Sequence, residues 1–354
     1  MEMDRGALKP YIVVILVQLL YSGMHIISKS ALEFGLSPFV FVFYRQAFGA
    51  IVLLPFAFVV IRRGSPQLSF MLLLKIFIHA LIGITLSLNI YNVALKYTSA
   101  TVASAFNNSI PVFTFFLAVM MRMEVFKLKS ISGLMKMIGI TFCVAGIIII
   151  AFYTGAPLMR SMKHHPVSNH QPKHSPSTWI KGSFLMITAN IFWSLWLTSQ
   201  GQLLKEYPSK LLFTTLQTIF SMIQSFLVCL VVERNFAKWE LHMDMGLLAV
   251  AYSGIVITGL TFYLQSWSVE KKGPVFLAMS TPLAFVFTLI GSFFFFSKAT
   301  TLGSVLGGAF MVGGLYFVLW GKSMENTTKI VQPCIEEGIV PNEVKEMASS
   351  CPKV

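Results

Sequence analysis

Apolar runs long enough to cross a bilayer alternate with short polar segments along most of this chain. Taking about 20 apolar residues as one crossing, the pattern predicts spans near residues 11–31, 39–61, 74–95, 100–121, 131–152, 179–200, 210–232, 246–267, 274–296 and 302–321. A polar, His- and Pro-rich linker, 153–178, separates the fifth span from the sixth. Residues 1–10 precede the first span, and 322–354 read as a disordered polar tail. The expected fold is therefore all-α and integral to the membrane, with ten transmembrane helices.

Two of these spans carry the same interruption. Ser109-Ile110-Pro111 lies inside the fourth, and Ser280-Thr281-Pro282 lies inside the ninth, 171 positions later. A proline inside a helix forfeits a backbone hydrogen bond. In a membrane, hydroxyls, water or neighbouring helices must satisfy the freed carbonyl, as beside a polar cavity. Other echoes run in the same order. Gln18-Leu19-Leu20-Tyr21-Ser22 matches Asn190-Ile191-Phe192-Trp193-Ser194, and Gly139 with Gly146 matches Gly307 with Gly314. Five crossings are an odd number, so the second copy enters the membrane inverted: 11–152 and 179–321 form two inverted five-helix repeats. In folds of that kind, paired broken helices mark a binding site between the repeats.

Composition agrees with the pattern. The chain is 55% apolar and 12% charged, against about a quarter charged in soluble domains. The net charge of +13 sits in short loops and forms no basic stripe with interleaved aromatics, so nucleic acid is not an expected partner. Of 27 Lys and Arg, 17 fall on one side of the ten spans, nine on the other, and Arg45 inside one. By the positive-inside rule both termini face the cytosol, and the Asn326-Thr327-Thr328 sequon should stay unglycosylated. Cys143 and Cys229 lie in apolar runs, Cys334 and Cys351 in the tail. None has metal-ligand spacing, and no cofactor or metal is expected. Phosphate loops, zinc-protease motifs and nucleophile elbows are also missing, so the chain does not read as an enzyme.

The tenth span ends Gly314-Leu315-Tyr316-Phe317-Val318-Leu319-Trp320-Gly321-Lys322, after Leu302-Gly303-Ser304-Val305-Leu306-Gly307. With Tyr97-Thr98-Ser99-Ala100-Thr101 and Ser109-Ile110-Pro111, it resembles the plant nodulin-21-like, walls-are-thin-related branch of the drug/metabolite transporter superfamily. Its members are also called "usually multiple acids move in and out" transporters. The resemblance spans about residues 8–323. It implies two EamA-type repeats that carry amino acids, with auxin handled by at least one branch, in the plasma membrane or the vacuolar membrane. One departure stands out. Lys298 occupies a position where the family usually has glutamate, while the matching first-half acid, Glu124, is present.

Every Asp and Glu falls in a predicted loop or tail. A membrane-embedded carboxylate is the usual proton relay and cation partner, so a cation antiporter is disfavoured. Arg45 lies about seven residues into its span, about 10 Å along a helix. Two arrangements are open to it: snorkelling to the interface, or facing a cavity where its planar fork suits a carboxylate. His25 shares a helix face with Tyr21 and could exchange a proton or simply sit buried and neutral. The remaining candidate lining comprises Gln18, Asn89, Asn92, Asn107, Pro111, Asn190, Trp193, Ser194, Ser280, Thr281 and Pro282.

The expected function is a secondary transporter of amino acids working by alternating access. The alternatives are an auxin or indole-acid carrier and a transport-inactive receptor or scaffold. A small carboxylate-bearing molecule and the lipid bilayer are the expected partners, and a homodimer is left open.

Overall fold

The structure is a computed structural model that describes residues 5–33, 35–64, 68–97, 103, 106–123, 130–153, 176–207, 209–241, 243–296 and 302–336. Ten helical elements follow one another: α1 Arg5–Glu33, α2 Pro38–Arg62, α3 Phe70–Tyr97, α4 Ile110–Met120, α5 Ile131–Phe152, α6 Pro176–Glu206, α7 Lys210–Val232, α8 Met245–Lys272, α9 in two pieces, Pro274–Met279 and Thr281–Phe296, and α10 Leu302–Glu336. Among the described residues nine helices are long and apolar enough to cross a membrane, and α4 is a shorter apolar helix. The chain is an all-α integral membrane protein built from two inverted five-helix repeats.

The repeat is visible in local geometry. α3 contains a wide π-helical turn at Leu81–Leu86, and α8 contains one at Tyr252–Thr261. Leu81 and Tyr252 are separated by the same 171 positions as the two serine-proline motifs. Such turns bring carbonyls out of regular pairing, and side chains meet several of them here. Asn89 Nδ2 donates to Thr85 O at 2.7 Å, and Thr261 Oγ1 donates to Val256 O at 2.9 Å.

Glycine sets how closely two further helices approach. α5 and α10 run antiparallel with Gly139 against Gly314 and Gly146 against Gly307. A Cβ at Gly139 would sit 2.5 Å from the Gly314 carbonyl oxygen, and one at Gly146 would sit 2.7 Å from that of Gly307. Ser132 Oγ extends the seam, donating to Gly321 O at 2.7 Å. Small residues that let backbones approach are the usual basis of helix pairing in lipid.

Several boundaries differ from the sequence reading, among them the start of α1, which begins at Arg5, ahead of the expected span. α10 continues to Glu336, into the segment expected to be a disordered tail: Lys322 to Gln332 holds neither glycine nor proline, and the helix passes through Pro333 before it ends. Pro111 and Pro282 are not inside continuous helices. Each occupies one of the first two positions of a helix that begins afresh, Ile110–Met120 or Thr281–Phe296, where a missing N–H costs nothing. α6 starts at Pro176, inside the segment read as linker. Most of that linker, with its histidines, lies outside the described residues, as do Glu124 and Lys298.

Candidate functional site

The two helix breaks are braced from the opposite repeat. Gln18 of α1 donates from Nε2 to Ser280 Oγ at 2.6 Å, and Ser280 Oγ in turn donates to Leu277 O at 2.6 Å. In mirror image, Asn190 of α6 donates from Nδ2 to Phe106 O at 2.7 Å and to Ser109 Oγ at 3.2 Å. Ser194, one turn on, donates to Ile110 O at 3.3 Å. Gln18 and Asn190 hold equivalent positions in the two repeats, so each repeat's first helix supports the other's broken one. Buried carbonyls left over by a helix break must find partners, and these amides and hydroxyls supply them.

Between these braces lies a cavity with about 90 Å³ accessible to the centres of water molecules. One water needs about 10–15 Å³ on that measure, so the space holds a small solute. α1 contributes Gln18, Tyr21, His25 and Ser28, α2 contributes Phe41 and Arg45, and α3 contributes Ser87, Tyr91 and Asn92. Asn107, Ile110, Asn190, Trp193, Gln265 and Thr281 complete much of the wall. Ser28 and Leu95 carry the lining toward the C-terminal ends of α1 and α3. At the N-terminal end of α1, Tyr11 packs edge-on against Phe276 with centroids 5.2 Å apart, and Lys272 Nζ stands 5.6 Å from the Tyr11 ring centre.

Arg45 decides the chemistry of this space. It is 2% exposed, so it does not snorkel to the interface. Its Nε donates to Thr258 Oγ1 at 3.1 Å, and its guanidinium carbon lies 5.7 Å from the centre of the Phe262 ring. Nη2 is buried without a hydrogen-bond partner among the described residues. No Asp or Glu is buried among them either. Arginine stays charged in proteins, and an unpaired buried charge is costly. Two helix N-termini add to the field. Ile110 and Thr281 each begin a helix and line the cavity. Such ends carry partial positive charge, which favours anions, although Pro111 and Pro282 bring no N–H and those of Val112, Phe113 and Leu283 already meet Ser109 O or Ser280 O.

Hydrogen bonds fix the polar wall around the arginine. Tyr91 OH lies 3.2 Å from His25 Nδ1, and Tyr21 OH donates to Gln265 Oε1 at 3.4 Å. The His25 ring lies 6.3 Å from each of these tyrosine rings. Trp193 packs on Trp196 with ring centres 4.7 Å apart and on Phe262 at 5.9 Å. His79, buried further along α3, is 3.0 Å from Trp196 O through Nε2 and does not line the cavity.

Of the residues expected at the site, Arg45, Gln18, Tyr21, His25, Asn92, Asn107, Asn190, Trp193 and Thr281 surround this one cavity. Asn89, Pro111, Ser194, Ser280 and Pro282 stand behind it. Asn89 spends its amide on the wide turn of α3, while Ser194 and Ser280 bond to carbonyls at the breaks. Tyr91 and Gln265 line the cavity, although aromatic anchoring and interhelical bonding account equally well for such residues in a sequence. Ser28 and Ser87 carry no sequence signal that separates them from other buried serines.

A polar cavity at the interface of two inverted repeats, floored by paired broken helices, is the architecture of a secondary transporter. The comparisons agree. The EamA-like transporter family matches residues 8–152 and 180–320, one match per repeat. The WAT1-related protein At5g64700 of Arabidopsis thaliana is 47% identical over 98% of this chain and the whole of its own. Protein WALLS ARE THIN 1 of the same plant is 33% identical over 90% of this chain and 84% of its own. A solved crystal structure at 15% identity shares the fold, with a TM-score of 0.62 over 90% of this chain and 99% of the other. This chain belongs to the EamA-like transporter family, a family of membrane transporters rather than enzymes.

Proposed function

We propose that this protein carries small carboxylate-bearing metabolites, amino acids foremost, across a plant membrane by rocking one five-helix repeat against the other. Arg45 carries this reading: a buried guanidinium with an open Nη2, facing a cavity that holds no carboxylate among its lining residues. A substrate carboxylate supplies the missing acceptor and charge, and the N-termini at Ile110 and Thr281 favour it from two more directions. The lack of acids among the described lining residues argues against cation exchange. The lysine and arginine distribution supports cytosolic termini, and the likeness to the walls-are-thin-related transporters supports a plasma-membrane or vacuolar setting.

A second reading, an indole-acid carrier, draws on the aromatic wall of Phe41, Tyr21, Tyr91 and Trp193. Flux in proteoliposomes separates the two. Saturable uptake of several labelled amino acids, weakened at least tenfold by Arg45→Gln in protein that still inserts, supports the first. Uptake of an indole acid alone supports the second. No flux of any panel member from folded, inserted protein refutes both and favours a receptor or scaffold.

A further inference from the structure

His25 is the imidazole on the cavity wall, and its surroundings give it a task beyond lining. Its Nδ1 is 3.2 Å from the Tyr91 hydroxyl, leaving Nε2 as the ring's second proton site. The titratable and charged groups around it are Tyr21 on its own helix, Tyr91 from α3, Arg45 from α2 and Tyr252 from α8, whose hydroxyl donates to Leu20 O. α9, which packs along α1, holds no titratable residue in either of its helical pieces. The wall therefore offers a proton no carboxylate to ride on, and one basic nitrogen.

In the empty cavity, a proton on His25 would place a second positive charge in the same enclosed space as Arg45. Like charges in such a space oppose each other strongly. A carboxylate on Arg45 cancels the first charge and presents its own negative charge to the imidazole. We infer that His25 takes up one proton each time an anionic carboxylate binds, so that the carrier moves proton and anion together. The proton passes from solvent to an imidazole nitrogen and leaves to solvent on the far side, with no other bond made or broken. This inference rests on the carboxylate reading of the cavity. Linkage makes it reciprocal: if the anion favours the proton, the proton favours the anion by the same factor.

The test uses full-length protein in liposomes, with L-glutamate as a net monoanion, L-glutamine as a zwitterion and an internal pH dye, against protein-free vesicles. One linked proton raises subsaturating glutamate uptake by up to about tenfold per unit fall in external pH. The dye should report one proton entering per glutamate. His25→Gln should flatten that slope, whatever its absolute rate. Tyr91→Phe keeps the imidazole but removes its hydroxyl partner, and should shift the midpoint of the pH response; it remains informative where His25→Gln fails to fold. Glutamate flux without proton entry, or with an unchanged slope in His25→Gln, overturns the inference and leaves the carboxylate reading standing. Absence of flux for both solutes and for the wider amino- and indole-acid panel overturns both.

Discussion

Alanine at Gly314 should weaken the protein, while alanine at Gly313, one residue away, should not. Both changes gain the same helix propensity, about 0.8–1.0 kcal/mol over glycine, so propensity cancels in the comparison and only the new contacts remain. A Cβ at Gly314 would lie 2.5 Å from the Gly139 carbonyl oxygen, 2.7 Å from Cys143 Sγ and 3.0 Å from Cys143 N. Two of these atoms are backbone and cannot rotate aside, so α5 and α10 must part. A Cβ at Gly313 would lie 3.6 Å from Phe142 Cδ1, an ordinary contact. Forcing a methyl into a well-packed seam costs about 1–3 kcal/mol. Parting by about 0.5–1 Å also loses a quarter to a half of each dispersion well along the interface. The difference between the two variants should therefore be about 1–3 kcal/mol. Thermal unfolding of the full-length protein in detergent, followed by fluorescence-detected size exclusion, reads the rank order. A Gly314→Ala midpoint equal to or above that of Gly313→Ala would refute the account of this seam.

Three further outcomes follow from the site and the topology. Gln18→Ala removes the donor at Ser280 Oγ, worth about 0.5–1.5 kcal/mol, and should slow flux several-fold with insertion intact, as measured by initial rates in vesicles; undiminished rates would remove the brace from the working parts. Trp193→Ala deletes the indole that lines the cavity against Trp196 and Phe262, and should shift preference toward bulkier acids in a competition assay. Asn326 should carry no glycan when the chain is expressed in a glycosylating host, read by mobility before and after glycosidase; a glycan there would reverse the proposed orientation.

Much of the fold is legible because a bilayer tolerates few solutions: each crossing must satisfy its own backbone hydrogen bonds, so length and apolarity name the spans. The repeat is equally open to inspection, since Ser109-Ile110-Pro111 and Ser280-Thr281-Pro282 keep their spacing. What the motif does is less legible. Proline reads as a defect inside a helix, but here both prolines start new helices, and the adjoining serines meet partners from the other repeat. Arg45 could be located by its depth, yet only packing shows that it stays in and bonds Thr258. The wide turns of α3 and α8 leave no compositional mark, because a π turn depends on tertiary contacts such as Trp196 against Gly83. Asn89, three residues from Asn92 and read as sharing its face, bonds Thr85 O in the α3 turn and stands behind the cavity, whereas Asn92 bonds Leu88 O in the same way and lines it.

Membrane voltage acts directly on Arg45. In the proposed cycle an empty cavity carries its positive charge through the reorientation of the repeats, and a charge that crosses the full potential exchanges about 2.3 kcal/mol per 100 mV, roughly a fifty-fold bias between the two faces. A net-monoanionic substrate such as glutamate neutralises the loaded cavity, so each cycle moves one net negative charge and runs against an inside-negative potential on entry, whereas a zwitterionic amino acid brings its own ammonium and leaves the cavity's charge unchanged. With the monoanion, a proton on His25 restores the same charge in loaded and empty forms, and net transport then becomes electrically silent. Current recorded across a membrane holding this protein would thus distinguish the two modes from the charge count of a single buried guanidinium.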